Sequence, residues 1–329
     1  MSTVGRVCGR GEGVHAESTV DVVDVVRRVD ARLAALDPMV PAYRRIEPGP
    51  GDELIAVEVP GGAALAVVHF DGIDSAQLGA AYRTLRQHRL TLLAGGERAA
   101  AAAGAVLTRW ERHLAEHADP VDPETAALIT LPSRDHTAVA ALVTHHFTPS
   151  AVLAVRTPGR ATTAHCDVRV RLAGVDDTDS IVELSLAVIE YDAVFGTLRV
   201  RRGTEGALRA AVAEQLTDGG LRVWLAENDD TVLGMVSVEF PPQSAWIADQ
   251  VAAAPAAYLG FGYVAPGARG SGIGSALVAK AHHALDDAAI AATLLHHVPA
   301  NPLSTPFWYS HGYRPLWTTW QRRPTHPPG

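Results

Sequence analysis

The chain of 329 residues contains one lysine, Lys280, and two cysteines, Cys8 and Cys166. Two cysteines exclude a disulfide scaffold and a four-cysteine zinc site. The other 27 basic residues are arginine and acidic residues number 36, which leaves a net charge of −8. No basic run exceeds a pair (Arg44-Arg45, Arg201-Arg202, Arg322-Arg323), whereas proteins of nucleic acid or anionic membranes carry a basic face. Neither nucleic acid nor membrane is expected as a partner. Long apolar runs are also missing. The small-residue stretch 99–107 is too short to span a bilayer. Residues 1–13 hold Gly, Arg and Glu where a signal peptide needs an apolar block. A cytoplasmic location is the expectation. What is present in quantity is apolar side chain, 47% of the sequence against 19% charged, enough to bury a core.

Length alone suggests two domains at ~150 residues each. Residues 20–36 have helical periodicity, with Val22, Val25, Val26, Val29 and Leu33 on one face. Residues 41–52 are a Pro/Gly-rich loop. Two strand-like runs, 53–59 and 63–70, flank Pro60-Gly61-Gly62 as a hairpin. A helix over 75–88, a short strand over 89–93, a long helix over 99–117, a strand over 126–131, a helix over 137–145 and a strand over 151–156 follow. The polar, Pro/Gly-broken segment 157–163 marks a boundary between 1–160 and 161–329. Beyond it the pattern predicts a strand at 167–172, helices at 179–191 and 205–216, and a hairpin of 221–227 and 232–240 turned by Asn228-Asp229-Asp230. Next come a strand at 257–264, a helix at 272–286, a strand at 291–298, a short helix at 303–311 and a last strand at 313–321. Hairpins combined with a βαβ crossover imply a mixed sheet with helices on both faces, an α/β fold of the α+β type.

The segment that carries chemistry is Tyr263-Val264-Ala265-Pro266-Gly267-Ala268-Arg269-Gly270-Ser271-Gly272-Ile273-Gly274-Ser275. A strand ends, a Pro/Gly turn follows, and glycines open a helix. The first turn of a helix has unpaired N–H groups and a partial positive end, and glycines let a pyrophosphate approach it closely. A tight strand-to-helix turn with no ligand explains the glycines equally well. No Gly-Lys-Ser/Thr closes the run as a P-loop requires. The spacing Arg-x-x-Gly-x-Gly, preceded by hairpin strands, is not a dinucleotide fingerprint. An NAD-type module remains a further reading; it predicts stabilisation by NADH.

Val264-x-Pro266-x-x-Arg269-Gly270-x-Gly272-Ile273-Gly274 resembles the acetyl-CoA loop of the GNAT superfamily of N-acetyltransferases. Downstream, Asn301 followed by Phe307-Trp308-Tyr309-Ser310-His311-Gly312-Tyr313 resembles that family's second signature at the same spacing. The resemblance implies that backbone N–H groups of Gly270, Ser271, Gly272, Ile273 and Gly274 hold a pyrophosphate. It further implies that Arg269 adds charge and the Ser275 hydroxyl caps a phosphate oxygen. Gly262 and Val264 would offer backbone bonds to pantetheine, Asn301 would bond its amide, and Phe307 would pack on it. Acetyl-CoA is thus the expected cosubstrate, with no metal. The implied reaction is direct attack of a neutral amine, borne by a small molecule or a peptide, on the thioester. A base removes the ammonium proton, since an ordinary amine is protonated at pH 7. The expected assembly is a monomer or homodimer.

The sequence departs from the family at the proton carriers. Tyr258 stands where several members have a Glu base, and Trp308 where many have a Tyr acid. Indole N–H is a donor without usable acidity. Glu239, at the neighbouring strand end, is the preferred base candidate against a solvated carboxylate. Tyr258 is a pocket wall, and Tyr309 serves only if its helix is irregular. These gaps leave a non-catalytic acyl-CoA sensor as the alternative. His296 or His297 lies near the expected acceptor site; His113 and His117 share a helix face but lack a third ligand. The connection 240–255 is long enough to line an acceptor cleft. The N-terminal half has no Arg-x-x-Gly-x-Gly, yet 126–156 echoes 291–322, with His146 in place of Gly312. Two GNAT-like domains are expected, each a mixed, mostly antiparallel sheet with helices on both faces. The first is a degenerate or cap domain without a cofactor loop.

Overall fold

The computed structural model describes residues 22–42, 48–159, 164, 166–196, 198–229 and 231–325. Cys8, Arg44, Arg45, Asp230, residues 1–13, part of the 41–52 loop and residues 160–163 of the boundary segment lie outside the described residues. The N-terminal half runs α1 (Val22–Leu36), β1 (Glu53–Val59), β2 (Gly62–Gly72), β3 (Arg86–Gly96), α2 (Ala99–His117), β4 (Thr125–Pro132), α3 (Val139–Thr144) and β5 (Thr148–Arg156). The C-terminal half opens with β6 (Arg169–Leu172), α4 (Thr178–Ala193), α5 (Thr204–Thr217), β7 (Leu221–Asn228), β8 (Thr231–Glu239) and α6 (Ala245–Ala248). It closes with β9 (Ala256–Val264), α7 (Ile273–Asp287), β10 (Ala292–His297), α8 (Ser304–Ser310) and β11 (Arg314–Arg322). Setting aside the short α6, the order strand-strand-strand-helix-strand-helix-strand occurs twice, in β1 to β5 and again in β7 to β11. The echo read from the sequence is thus a repeat of architecture.

One sheet of eleven strands joins the halves in the order β1-β2-β3-β4-β11-β5-β10-β9-β8-β7-β6. All its ladders are antiparallel except β3–β4 and β9–β10. The last strands are exchanged. β11 lies between β4 and β5, and β5 lies between β11 and β10. Helices cover both faces. α2 packs Val106, Leu107 and Trp110 on β1 to β4, and α7 packs Ile273, Leu277 and Val278 on β8 and β9. On the other face, α4 and α5 cover β7 and β8 through Ile181, Leu208 and Val212, while α1 joins Leu153, Leu294 and Leu316 across the junction. Each large apolar side chain buried this way contributes about 1.5–3 kcal/mol.

One expectation fails. Residues 75–88 do not form a helix; only a single 3-10 turn, Leu78–Tyr82, is present, and β3 starts at Arg86. The reason is the β2–β3 ladder, which pairs continuously from Gly62↔Gly96 to Gly72↔Arg86. It turns the expected five-residue strand into eleven and removes the last turn of the proposed helix. Gln87 and His88, polar in sequence, are buried in that ladder.

Both exchanged strands are stapled to helices of the host half by arginine. Arg156 on β5 meets Asp286 of α7 at 3.0 Å. On β11, Arg322 meets Glu111 of α2 at 2.6 Å, and Arg314 meets Asp37, just past α1, at 2.5 and 2.9 Å. Asp37 is only 2% exposed. Burial pushes its carboxyl up, but Arg314 and the Met39 N–H outweigh that and hold it below the ordinary value of 3.8. Arg314→Ala leaves the buried carboxylate with only the Met39 N–H and the more distant Arg134, at 3.8 Å, and is expected to cost about 3 kcal/mol at pH 7, read by urea melting. A carboxyl depressed in the folded state stabilises above its unfolded pKa and loses that contribution as pH falls through the folded one. The gap between wild type and variant should therefore close below pH 3.8; a gap that persists there would assign the loss to packing instead.

Candidate functional site

The site begins with a defect in the β8–β9 ladder. Pairing runs Gly234↔Val264, Met235↔Tyr263, Val236↔Gly262, then resumes at Val238↔Leu259 and Glu239↔Tyr258. One extra residue in β9 makes a bulge. The Ser237 hydroxyl accepts the Phe261 N–H at 2.8 Å, and a Cβ on Gly260 would meet that oxygen at 2.8 Å. The bulge shifts the side-chain alternation. Ala257 and Leu259 face α7, while Tyr258, Phe261 and Tyr263 lie on the opposite face.

On its other edge β9 pairs with β10 only through Ala256↔Ala292, Thr293↔Ala257 and Leu294↔Tyr258. Past Tyr258 the strands part, and β10 continues against β5. The backbone groups aimed into the opening can be assigned. Ala265 N–H bonds Leu233 O at 2.8 Å, and ladder bonds recur at every second antiparallel pair. Tyr263 therefore spends its N–H and C=O on β8, and Gly262 and Val264 direct theirs into the opening.

The opening is a cleft of about 520 Å³. Gly262, Val264, Arg269, Gly270, Gly272, Ile273, Gly274, Ser275, Asn301 and Phe307 line it together, so the two sequence motifs meet at one place. Gly270 and Gly272 have φ of 82° and 85°, a conformation glycine adopts without strain. The first helical bond of α7 runs from Ala276 N–H to Gly272 O. The N–H groups of Ile273, Gly274 and Ser275 are thus free of helical partners at the positive end of α7. Ser271 is not in the lining; its hydroxyl donates to Ala268 O at 2.6 Å. The Ser275 hydroxyl lies 3.1 Å from His311 Nε2. Arg269 donates through Nε to Val264 O at 3.0 Å, and its guanidinium sits 5.7 Å from the Tyr191 ring centre.

Two aromatic residues explain two glycines. A Cβ at Gly262 would lie 2.9 Å from the Trp308 indole, and one at Gly274 3.2 Å from the Phe307 ring. Asn301 is less free than the motif implies. Its carbonyl oxygen accepts from Leu303 and Ser304 N–H at the start of α8, and its amide donates to Asp192 at 2.7 Å. Burial raises the Asp192 carboxyl, and the Asn301 bond lowers it in part. Sequence reasoning missed the α4 wall, Val188, Tyr191 and Asp192; their i, i+3, i+4 spacing was the available signal. It also missed Ser304. Among the described residues, Ser304 Oγ and His297 Nε2 are buried without a partner, and both residues line the cleft.

The candidate proton carriers stand outside this lining. Glu239 and Tyr258 are ladder partners beside His296. Glu239 accepts the Trp246 indole N–H at 2.8 Å; burial raises its carboxyl, offset in part by that bond. Tyr258 Oη lies 3.1 Å from His296 Nδ1. His296 is open to solvent on the cleft floor yet enclosed by protein. That enclosure, then the neighbouring His297, holds its imidazole down to about 4. Tyr309 is directed to His297, with rings 5.5 Å apart. α8 is regular, so Tyr309 points about 100° away from Trp308, and Trp308 takes the place over Gly262. Elsewhere, His113 and His117 stack at 4.2 Å, and His113 pairs with Glu53. Among the described residues no group of three metal-binding side chains is gathered, and no helix is long and apolar enough to cross a membrane.

Residues 191–313 match the family model "Acetyltransferase (GNAT) family". They form a GNAT domain. No curated protein matches the chain. Among solved structures, a GCN5-related N-acetyltransferase from Sphaerobacter thermophilus is 12% identical, covers 80% of this chain and 82% of its own, and superposes with a TM-score of 0.53. That likeness supports the fold over both halves. A tandem GNAT protein from the clavulanic acid biosynthesis pathway is 15% identical over 92% of this chain and 95% of its own, at a TM-score of 0.44. The GNAT domain supplies the open cleft, and its family and fold support an acyltransferase.

The contact between Gly262 and Trp308 can be tested directly. Gly262→Ala is expected to cost about 1–3 kcal/mol through overpacking, measured by denaturant melting. Adding Trp308→Phe should recover part of the loss; a double variant no more stable than the single one would place the cause elsewhere.

Proposed function

We propose that the protein is an acetyl-CoA-dependent N-acetyltransferase with one working site, in residues 161–329, acting on a primary amine of a small molecule or peptide. The observation that carries this is the cleft itself: strand amides facing an opening that leads to the unpaired N–H groups of Ile273, Gly274 and Ser275. The residues present suit acetyl-CoA, whose thioester supplies the activated acetyl group when bound. Ile273, Gly274, Ser275 and the glycine turn 270–272 hold the pyrophosphate, with Arg269 adding charge. Gly262 and Val264 N–H groups bond the pantetheine arm, and the Gly262 N–H stabilises developing oxyanion charge. Phe307 and Trp308 exclude water. His297 Nε2 and Ser304 Oγ offer polar contacts that Asn301, spent on Asp192 and α8, gives only in part. Glu239 takes the ammonium proton, water carries a proton to the departing thiolate so that CoA leaves as the free thiol, and Tyr258, bonded to neutral His296, is a wall of the pocket. The protein acts in the cytoplasm, as a monomer or homodimer, with 1–160 as a half that holds no cofactor.

The closed N-terminal half has a physical basis. β3 and β4 also pair briefly, Arg86–Leu90 with Thr125–Ile129, and then part. There, however, Arg32 of α1 donates to Ala94 O at 2.7 Å and to Asp135 at 2.8 Å. The space left is about 10 Å³. Calorimetric titration with acetyl-CoA should thus give one site per chain. Gly272→Val should weaken binding at least tenfold. With an amine panel, free thiol should appear; saturable binding without thiol release on any amine would favour the acyl-CoA sensor.

The pH profile is a further check. With the imidazole held to about 4, His296 is neutral from pH 6 upward. The kcat/KM value should climb with pH as the acceptor ammonium deprotonates, without a break near 6.5. A break there that vanishes in His296→Gln would show that His296 titrates at its ordinary value.

A further inference from the structure

Next to His296 of the cleft stands Tyr258, and beyond it Glu239 has the Trp246 indole as its hydrogen-bond partner and the Tyr82 ring within electrostatic reach. Trp246 of α6 stands edge-on to Tyr258, with ring centres 4.7 Å apart. The bulge in β9 turns Phe261 to the same face as Tyr258, and the Tyr82 ring lies 6.4 Å from Phe261. Tyr82 belongs to the N-terminal half. Its 3-10 turn is clasped by the segment between α4 and α5: Arg199 N–H donates to Ala81 O and Arg201 Nε to Ala80 O, both at 2.9 Å. Glu124 of the N-terminal half binds both arginines.

Two features separate this group from ordinary core. Trp246 is 55% and Tyr82 39% exposed, so large rings are presented to solvent beside the cleft. Glu239, enclosed among them, has only the Trp246 N–H as a partner, and no Arg or Lys among the described residues pairs with it. A carboxylate enclosed by aromatic faces without a counter-cation is chemically matched to a cation carried on a flat apolar body.

Resting on the transferase reading above, we infer that the acceptor is a primary amine attached to an aromatic or similarly flat apolar group, caged by Tyr82, Trp246, Tyr258 and Phe261 with its ammonium on Glu239. The cage puts the amine beside Tyr258 and His296, at the edge of the opening where Gly262 N–H points. It also gives the N-terminal half a part in recognition, since Tyr82 is one wall of the acceptor site, set in place by the Glu124–Arg201 clasp. A peptide amine without a neighbouring flat side chain would leave the rings uncovered.

The test is direct binding to the full-length protein, by calorimetry, of 2-phenylethylamine, n-butylamine and 2-phenylethanol, with and without acetyl-CoA. The expected result is that 2-phenylethylamine binds at least tenfold tighter than either analogue. Tyr82→Ala and Trp246→Ala, in different halves, should each weaken it fivefold or more while the Kd for acetyl-CoA stays within twofold. Glu239→Gln should erase the preference for amine over alcohol. Equal binding of 2-phenylethylamine and n-butylamine, no binding of either, or indifference to both ring removals at unchanged melting temperature would overturn the inference. Cage binding that persists while no amine releases thiol would uphold the cage and count against the transferase reading alone.

Discussion

Everything at the site depends on two neighbouring parallel strands that stay together for three residue pairs and then separate. A sheet ordinarily consumes its own N–H and C=O groups, and an unpaired edge inside a protein is costly. β9 tolerates one because the bulge at 260–261, bonded through Ser237, re-aims its end, and because Trp308 covers Gly262. The groups released are the ones a ligand's amide backbone can satisfy. The helix that follows adds its own unpaired first turn at the far end of the same opening. A strand edge and a helix mouth, each unfinished, thus form one continuous polar track with apolar walls.

In the N-terminal half the corresponding opening is filled from within. β3 and β4 separate in the same manner, but α1 lies in the gap and Arg32 bonds the Ala94 carbonyl. Ala94 sits two residues before Gly96, which pairs with Gly62, as Gly262 sits two before Val264, which pairs with Gly234. The mouth of α2 is closed as well. Arg98 N–H bonds Gly61 O at 3.0 Å, and the β1–β2 turn presses so closely that a Cβ on Gly62 would meet the Arg98 backbone at 2.7 Å. One half satisfies its open edge internally. The other leaves its edge facing a cleft of about 520 Å³.

Exchange of β5 and β11 makes the two halves one object. Each half lends its last strand to the other, and the arginines on those strands bond carboxylates beyond their own half. The shared sheet brings a short turn of one half, 78–82, against Phe261 of the other.

Much of this was legible in a single sequence. Strands β1, β7, β8 and β9 and helices α2 and α7 follow from local patterning, because a period of 2 or 3.6 depends on neighbours a few residues away. The glycine turn and the Asn301–Tyr313 segment could be paired because both motifs lie within sixty residues of each other, one before α7 and the other around α8. The helix expected at 75–88 failed for the opposite reason: an eleven-residue ladder to β2 overruled local preference, as tertiary pairing does. The strand exchange left no trace in the sequence, since β11 meets β4 and β5 from more than 150 residues away. So it was with Asp192 on Asn301, Trp246 on Glu239 and Tyr82 beside Phe261. Local chemistry in the chain determined where glycines open a helix with an unpaired first turn; only folding in three dimensions decided which side chains stand around Glu239 and Asn301, because they come from segments that meet nowhere along the sequence.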